Sequence, residues 1–211
     1  MEEQLWRAGM YQILAGLLTE PDETSAAVYV DDKAYYEEVC KQDPMLAGRE
    51  KDWPVPPSTL AEWQQLYYQS FVVSAQKCLI PVESIYRQWT YDETCSLPIA
   101  KEKGHLMSDA ALHMRKLYQE YGVELPESMN QQPDHLALEL EFMGVLVELG
   151  NLERQRIFVR EHLDWVVELF AEAREKNIPQ YYQNVLNLIE VWLSIESGRL
   201  GERTGKNGKC S

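Results

Sequence analysis

A chain of 211 residues with 45 % apolar content is long enough to close a hydrophobic core, as one domain or two small ones. Its 34 acidic residues outnumber 20 basic ones, a net charge of −14; the stretch from Arg199 onward holds four basic residues and one acidic, which leaves −17 on residues 1–198. Such a body repels nucleic-acid phosphates and would attract a cationic partner, besides staying in solution.

Taken in chain order, the apolar spacing from Glu3 to Thr19 predicts an amphipathic helix that stops at Glu20-Pro21. A more polar helix is expected from Thr24 to Lys41. Prolines 54, 56 and 57 then break the chain, since they cannot share a helix interior. Ser58 is the expected cap of a helix reaching Val73, with Glu62 in its first turns. Residues 75–100 show no clear period, and a loop of that length tends to be functional. Met107 to Tyr121 reads as a helix closed by Gly122. Further helices are expected at Pro133–Leu149, Leu152–Lys176 and Pro179–Glu196.

No run alternates in the way a sheet requires, so the expectation is an all-α, single-domain helical bundle over residues 1–198, followed by a flexible basic tail at 199–211. No segment has the roughly 20 uninterrupted apolar residues of a membrane span. The opening Met1-Glu2-Glu3 has the wrong charge for a signal peptide, so the expected compartment is the cytoplasm. The four cysteines are far apart and form no C-x-x-C, which reads as free thiols.

The densest signal is Gln132-Pro133-Asp134-His135-Leu136-Ala137-Leu138-Glu139. Pro133 suits a first helical turn, and Asp134 would meet the positive end of the helix there. The helix that follows is apolar around most of its circumference and belongs inside a domain. His135 and Glu139, four apart, are then the polar exceptions on a buried helix. Two readings stay open for His135: its ring fixes the helix entry, or it helps shape a pocket for a bound peptide. The loop at 75–100 adds Glu83, Ser84, Tyr86 and Trp89, a mixture of aromatic and hydrogen-bonding groups suited to peptide recognition or to plugging the core.

Catalytic patterns fail one by one. Gly201 to Asn207 is one residue short of a phosphate-binding loop, with Asn207 where Ser or Thr belongs. No H-E-x-x-H occurs, and Glu102-Lys103-Gly104-His105 is a single E-x-x-H where a di-iron bundle needs two. Asp134 and His135 are adjacent, so on a helix they point about 100° apart, which is not the oriented pair of a nucleophilic triad. No catalytic residue, metal or cofactor is therefore expected.

Residues 132–143 resemble the P-D-H-x-x-x-E-[LF] signature of the TorD/DmsD/NarJ family, cytoplasmic chaperones dedicated to redox enzymes. Four more stretches resemble that family in the same order: Met10–Leu18 with Glu20-Pro21-Asp22; Tyr67-Tyr68-Gln69-Ser70-Phe71, with Ser70 in place of the usual Leu; Pro81-Val82-Glu83-Ser84-Ile85-Tyr86; and Glu161-His162-Leu163 through Tyr181-Tyr182 to Glu196. The resemblance implies an all-α bundle, monomeric or domain-swapped, that binds the twin-arginine signal peptide of a molybdenum-containing catalytic subunit and delays export until the cofactor is inserted. A client that is not exported is the alternative within the family; a small all-α hydrolase or nucleotide-binding enzyme, with His135 as base, is the alternative outside it. On the first reading Glu83, Asp134 and Glu139 are candidate partners for the peptide arginines, Tyr67, Phe71, Tyr86 and Trp89 a candidate apolar wall, and Ser84 and His135 flanking contacts.

Overall fold

The computed structural model describes residues 2–72 and 78–201; Met1, residues 73–77 and residues 202–211 lie outside it, so the expected helix end at Val73 and the start of the 75–100 loop fall outside the described residues. The described chain is a single all-α bundle. Its helices are α1 (Glu2–Gly16), α2 (Glu23–Gln42), α3 (Leu60–Phe71), the one-turn α4 (Glu83–Tyr86), α5 (Asp109–Tyr121), α6 (Leu136–Glu148), α7 (Leu152–His162), α8 (Val166–Lys176) and α9 (Gln180–Leu200). Short 3-10 turns lie at Glu50–Asp52, Pro98–Lys101 and Glu127–Met129. Among the described residues no helix is long and apolar enough to cross a membrane.

The centre of the bundle is α6 packed along α1. Ten residues of α6 are buried, and α1 contributes Ala8, Tyr11, Leu14 and Ala15. Gly144 makes the close approach possible: a Cβ there would sit 3.3 Å from the Ala8 carbonyl and 3.4 Å from Tyr11 Cβ. Helix α7 packs on α6 and α9 on α7, Trp192 of α9 meets Tyr11 of α1 edge-on, and α8 and α3 pack on α9. Gly122 closes α5 in the left-handed conformation at φ 67°, as its position in the sequence predicts.

Four boundaries depart from the sequence expectation. The cap of α3 is Thr59, not Ser58; its hydroxyl accepts the Glu62 N–H. The single helix expected from Leu152 to Lys176 is two, because Trp165 Nε1 donates to the His162 carbonyl at 2.9 Å and occupies an acceptor at the end of α7. Pro133 and Asp134 are not in the first turn of α6. They form a turn beside residues 81–83, closed by the His135 N–H on the Gln132 carbonyl at 3.1 Å: Leu136 donates to the Pro81 carbonyl at 2.8 Å, Glu83 donates to the Asp134 carbonyl at 2.9 Å, and Val82 and His135 form an isolated antiparallel bridge. The helix starts only where that pairing ends.

The fourth departure concerns the tail. Arg199 and Leu200 belong to α9, and Arg199 is held in the body. Its guanidinium pairs with Asp43 and Glu196 and lies 5.0 Å above the Trp6 ring, while Arg7 also grips Glu196, at 2.7 Å. This buried cluster fastens the end of α9 to α1 and to the end of α2. The sequence reads as a flexible basic tail from Arg199, but two carboxylates and an indole face fix its first residue.

Candidate functional site

The site forms where the turn before α6 meets α4. Asp134 is fully buried, and its Oδ2 accepts the Ser84 N–H at 2.7 Å and the Ser84 hydroxyl. Ser108, the N-cap of α5, donates its hydroxyl to Ser84 Oγ at 2.8 Å. One carboxylate thereby locks three elements together. Burial pushes the Asp134 carboxyl above the usual carboxylate range, partly offset by the two Ser84 hydrogen bonds.

A second layer is built on Glu83 and Glu139, both buried. Glu83 accepts from Arg87 Nε at 3.1 Å and lies 2.8 Å from His162 Nδ1. His162 Nε2 in turn meets His113 Nδ1 at 2.8 Å, on the more exposed face of α5. Glu139 Oε2 accepts from Trp165 Nε1 at 3.1 Å, whereas its Oε1 is buried without a hydrogen-bond donor. Burial first, then the charges of Glu83 and Asp134, raise the Glu139 pKa well above its ordinary value. At His113 burial and the neighbouring His162 favour the neutral ring.

His135 is the N-cap of α6, 7 % exposed, and its Nδ1 accepts the Ala137 N–H at 3.2 Å. Of the two sequence readings, the geometry matches the ring that fixes the helix entry. Burial lowers its pKa to about 4, which favours the neutral ring at physiological pH.

Tyr86 is buried and stacked on Trp165, with ring centroids 5.0 Å apart, and its hydroxyl donates to Glu172 on α8. Trp89 is half-buried, its backbone tied to Glu102. Tyr67 and Phe71 pack elsewhere, against Tyr182 of α9 at 6.1 and 4.8 Å. The expected apolar wall is therefore divided between two clusters. Ser70 is on neither: it is fully buried and its hydroxyl returns to the Leu66 carbonyl at 2.7 Å. Glu83, Asp134 and Glu139 are brought together as expected, but as interior groups with partners of their own. A peptide arginine would reach Glu83 only by displacing Arg87.

Sequence reasoning gave no role to Arg87, Ser108, His113, His162 or Trp165. His162 carried a usable signal, because it follows Phe158 by four residues on the apolar stripe of α7. A histidine on that stripe needs a buried partner. An open cleft of about 410 Å³ leads from solvent to this layer, lined by Glu83, Arg87, Asp109, His113, His162 and Asp164 among others.

Residues 43–171 match the family model described as nitrate reductase delta subunit. Among curated proteins the chain is similar to the chaperone protein TorD of Vibrio parahaemolyticus (26 % identity over 125 residues, 52 % of this chain and 58 % of the relative). It is also similar to TorD of Vibrio cholerae El Tor Inaba (32 % over 95 residues, 38 % and 43 %) and of Vibrio vulnificus (25 % over 142 residues, 62 % and 60 %). The chain spans about half the length of the curated relatives it matches. No solved structure matches it significantly. With more than half of its length inside the family model, and the five motif stretches in order, the chain belongs to the nitrate reductase delta subunit family, the group that includes TorD, DmsD and NarJ.

Proposed function

We propose that the protein is a cytoplasmic maturation chaperone for a redox enzyme, and that it binds the twin-arginine signal peptide of a molybdenum-containing catalytic subunit until the cofactor is in place. The observation that carries the reading is the meeting of the shared motifs at one point: Glu83 and Ser84, Asp134, Glu139 and His162 interlock beneath a single cleft. Relatives named as TorD chaperones support the class of function.

The physics of the cleft suits a cationic peptide. Asp109, Glu161 and Asp164 are on its rim, and the strongly acidic body speeds encounter through long-range attraction. Arg87, bonded to both Glu83 and Asp164, already occupies the kind of position a peptide arginine would take. An incoming arginine exchanges with it at Asp164 first, since that carboxylate is exposed and Glu83 is not.

The test is calorimetry of the full chain with the N-terminal peptide of a genetically linked oxidoreductase subunit. Affinity should fall as salt rises, and Asp164→Asn should weaken the native peptide more than one with its arginine pair replaced by glutamine. Equal affinity for both peptides would remove the twin-arginine part of the proposal. A second reading, the alternative within the family, is a client that is not exported. That reading expects binding to a client N-terminus that lacks the arginine pair.

A further inference from the structure

We propose that Glu83, Glu139 and His162 form a binding site for one divalent first-row transition-metal ion, such as zinc or manganese, which ties α4, α6 and α7 together. Sequence spacing excludes a metal motif because the three ligands come from separate elements; the fold gathers them. Each offers one ligand atom, the three atoms lie within 4.8 Å of one another, and all three residues are buried.

The arrangement around them is that of a supported site. Every candidate ligand has one atom held from outside and one turned inward. Glu83 Oε1 accepts from Arg87 and Glu139 Oε2 from Trp165, while His162 Nε2 is engaged by His113. Such outer contacts orient the ligands of a metal centre and fix the histidine tautomer. The candidate ligand atoms are Glu83 Oε2 and His162 Nδ1, which face each other at 2.8 Å, and Glu139 Oε1, which has no hydrogen-bond partner. In one tautomer His162 Nδ1 donates to Glu83 and Nε2 accepts from His113; in the other, which a metal ion selects, Nε2 donates to His113 and the Nδ1 lone pair faces the Glu83 carboxylate at 2.8 Å. Glu139 Oε1, buried and without a donor, needs a positive neighbour.

A divalent ion answers that need and neutralises the two carboxylates. Two carboxylate oxygens and one imidazole suit zinc, manganese, cobalt or ferrous iron better than calcium, which prefers oxygen alone, or cuprous copper, which prefers sulfur. Metal–ligand bonds of about 2.0–2.2 Å place tetrahedral ligand atoms roughly 3.3–3.5 Å apart, so the Glu83–His162 pair opens by about half an ångström on binding. The cleft that reaches both Glu83 and His162 supplies the entry path and room for a water in the fourth position. The competing occupant of this space is a proton shared by Glu83 and Glu139.

The experiment uses the full chain, stripped with EDTA and dialysed, then titrated with cobalt(II) and followed by its visible d–d absorption, with calorimetry of zinc in parallel. One ion per chain is expected, with a rise in Tm on adding zinc. Glu139→Gln keeps the size of the side chain and should weaken binding by more than the roughly 10–100-fold typical of a lost outer contact. His105→Gln, at the exposed His105–Glu102 pair, should leave binding unchanged. Binding below one equivalent, or unaltered in Glu139→Gln, overturns the site and leaves the shared proton in its place. If Glu139→Gln does not fold, the wild-type chain still decides, because a Tm that zinc does not raise also overturns it. No client peptide enters the assay, so its failure and the failure of the chaperone reading are told apart.

Discussion

Asp134 holds Ser84 through two hydrogen bonds on one carboxylate oxygen, one from the backbone N–H at 2.7 Å and one from the hydroxyl. The two residues are fifty apart in the chain, and their contact sets where α4 sits on the entry to α6. The N–H of Ser84 and its hydroxyl would otherwise be buried donors with no acceptor, so Asp134 completes the fold here before it can serve any ligand.

Asp134→Asn should therefore act through the fold. Losing a charge-assisted pair of hydrogen bonds costs about 1–3 kcal/mol. A signal peptide and its glutamine-substituted form should be weakened by the same factor, because Asp134 is fully buried and touches neither. Urea unfolding gives the stability loss, and calorimetry with the two peptides gives the ratio. A selective loss for the arginine peptide would return Asp134 to the binding surface.

Much of this arrangement was legible in the sequence, and the omissions have physical causes. The helical periods located every long element, and the apolar circumference of residues 136–147 marked the buried central helix. Glu83, Asp134 and Glu139 stand out together as candidate partners for a peptide's arginines, but one sequence does not reveal that Arg87, Ser84 and Trp165 already occupy them. Tyr67 and Phe71 were joined to Tyr86 as one wall, although the first two pack on Tyr182 and the third on Trp165. Helix starts were misplaced where tertiary pairing competes with capping: the bridge between Val82 and His135 pulls Pro133 and Asp134 out of the helix their residue types favour.

His135 should make the fold sensitive to acid. Its folded pKa of about 4 lies below that of an unfolded histidine, about 6.5, so between these values the unfolded chain takes up a proton that the folded chain refuses. Stability attributable to this ring is complete above about pH 6.5 and is lost as pH falls toward 4, by roughly 3 kcal/mol in total. His135→Asn keeps a side-chain acceptor for the Ala137 N–H and removes the titration. The variant should gain on the wild type progressively from pH 7 to 4 in denaturant melts. Parallel curves would show that the ring titrates normally.

Gly144 should tolerate no branched side chain. A Cβ at this position already meets the Ala8 carbonyl at 3.3 Å, and that carbonyl is backbone of a packed helix that cannot rotate away. Gly144→Val adds two methyl groups at the α1–α6 contact and should cost at least the 1–3 kcal/mol typical of overpacking, roughly. The measure is the urea midpoint of the variant against wild type. An unchanged midpoint would mean that α1 and α6 are farther apart than the packing of Ala8 and Tyr11 on Gly144 implies.

Glu139 should give the opposite pH dependence from His135. Burial and the charges of Glu83 and Asp134 raise its pKa in the folded chain, whereas an unfolded glutamate titrates near 4.3. Between those two values the folded state holds a proton that the unfolded state has released. The contribution of Glu139 is thus full below about pH 4.3 and falls away as pH rises toward the raised folded pKa. Asp134, whose pKa is also raised by burial, acts in the same direction and retains part of the slope in any Glu139 variant. Glu139→Gln removes the titrating proton but keeps an acceptor for Trp165 Nε1, and its amide can donate toward Glu83. Measured with a chelator present, so that no cation contributes, the stability of Glu139→Gln relative to wild type should climb steadily from pH 5 to 8. A difference that stays constant over that range would mean that Glu139 is ionised in the folded chain at neutral pH, with its charge balanced by a neighbour.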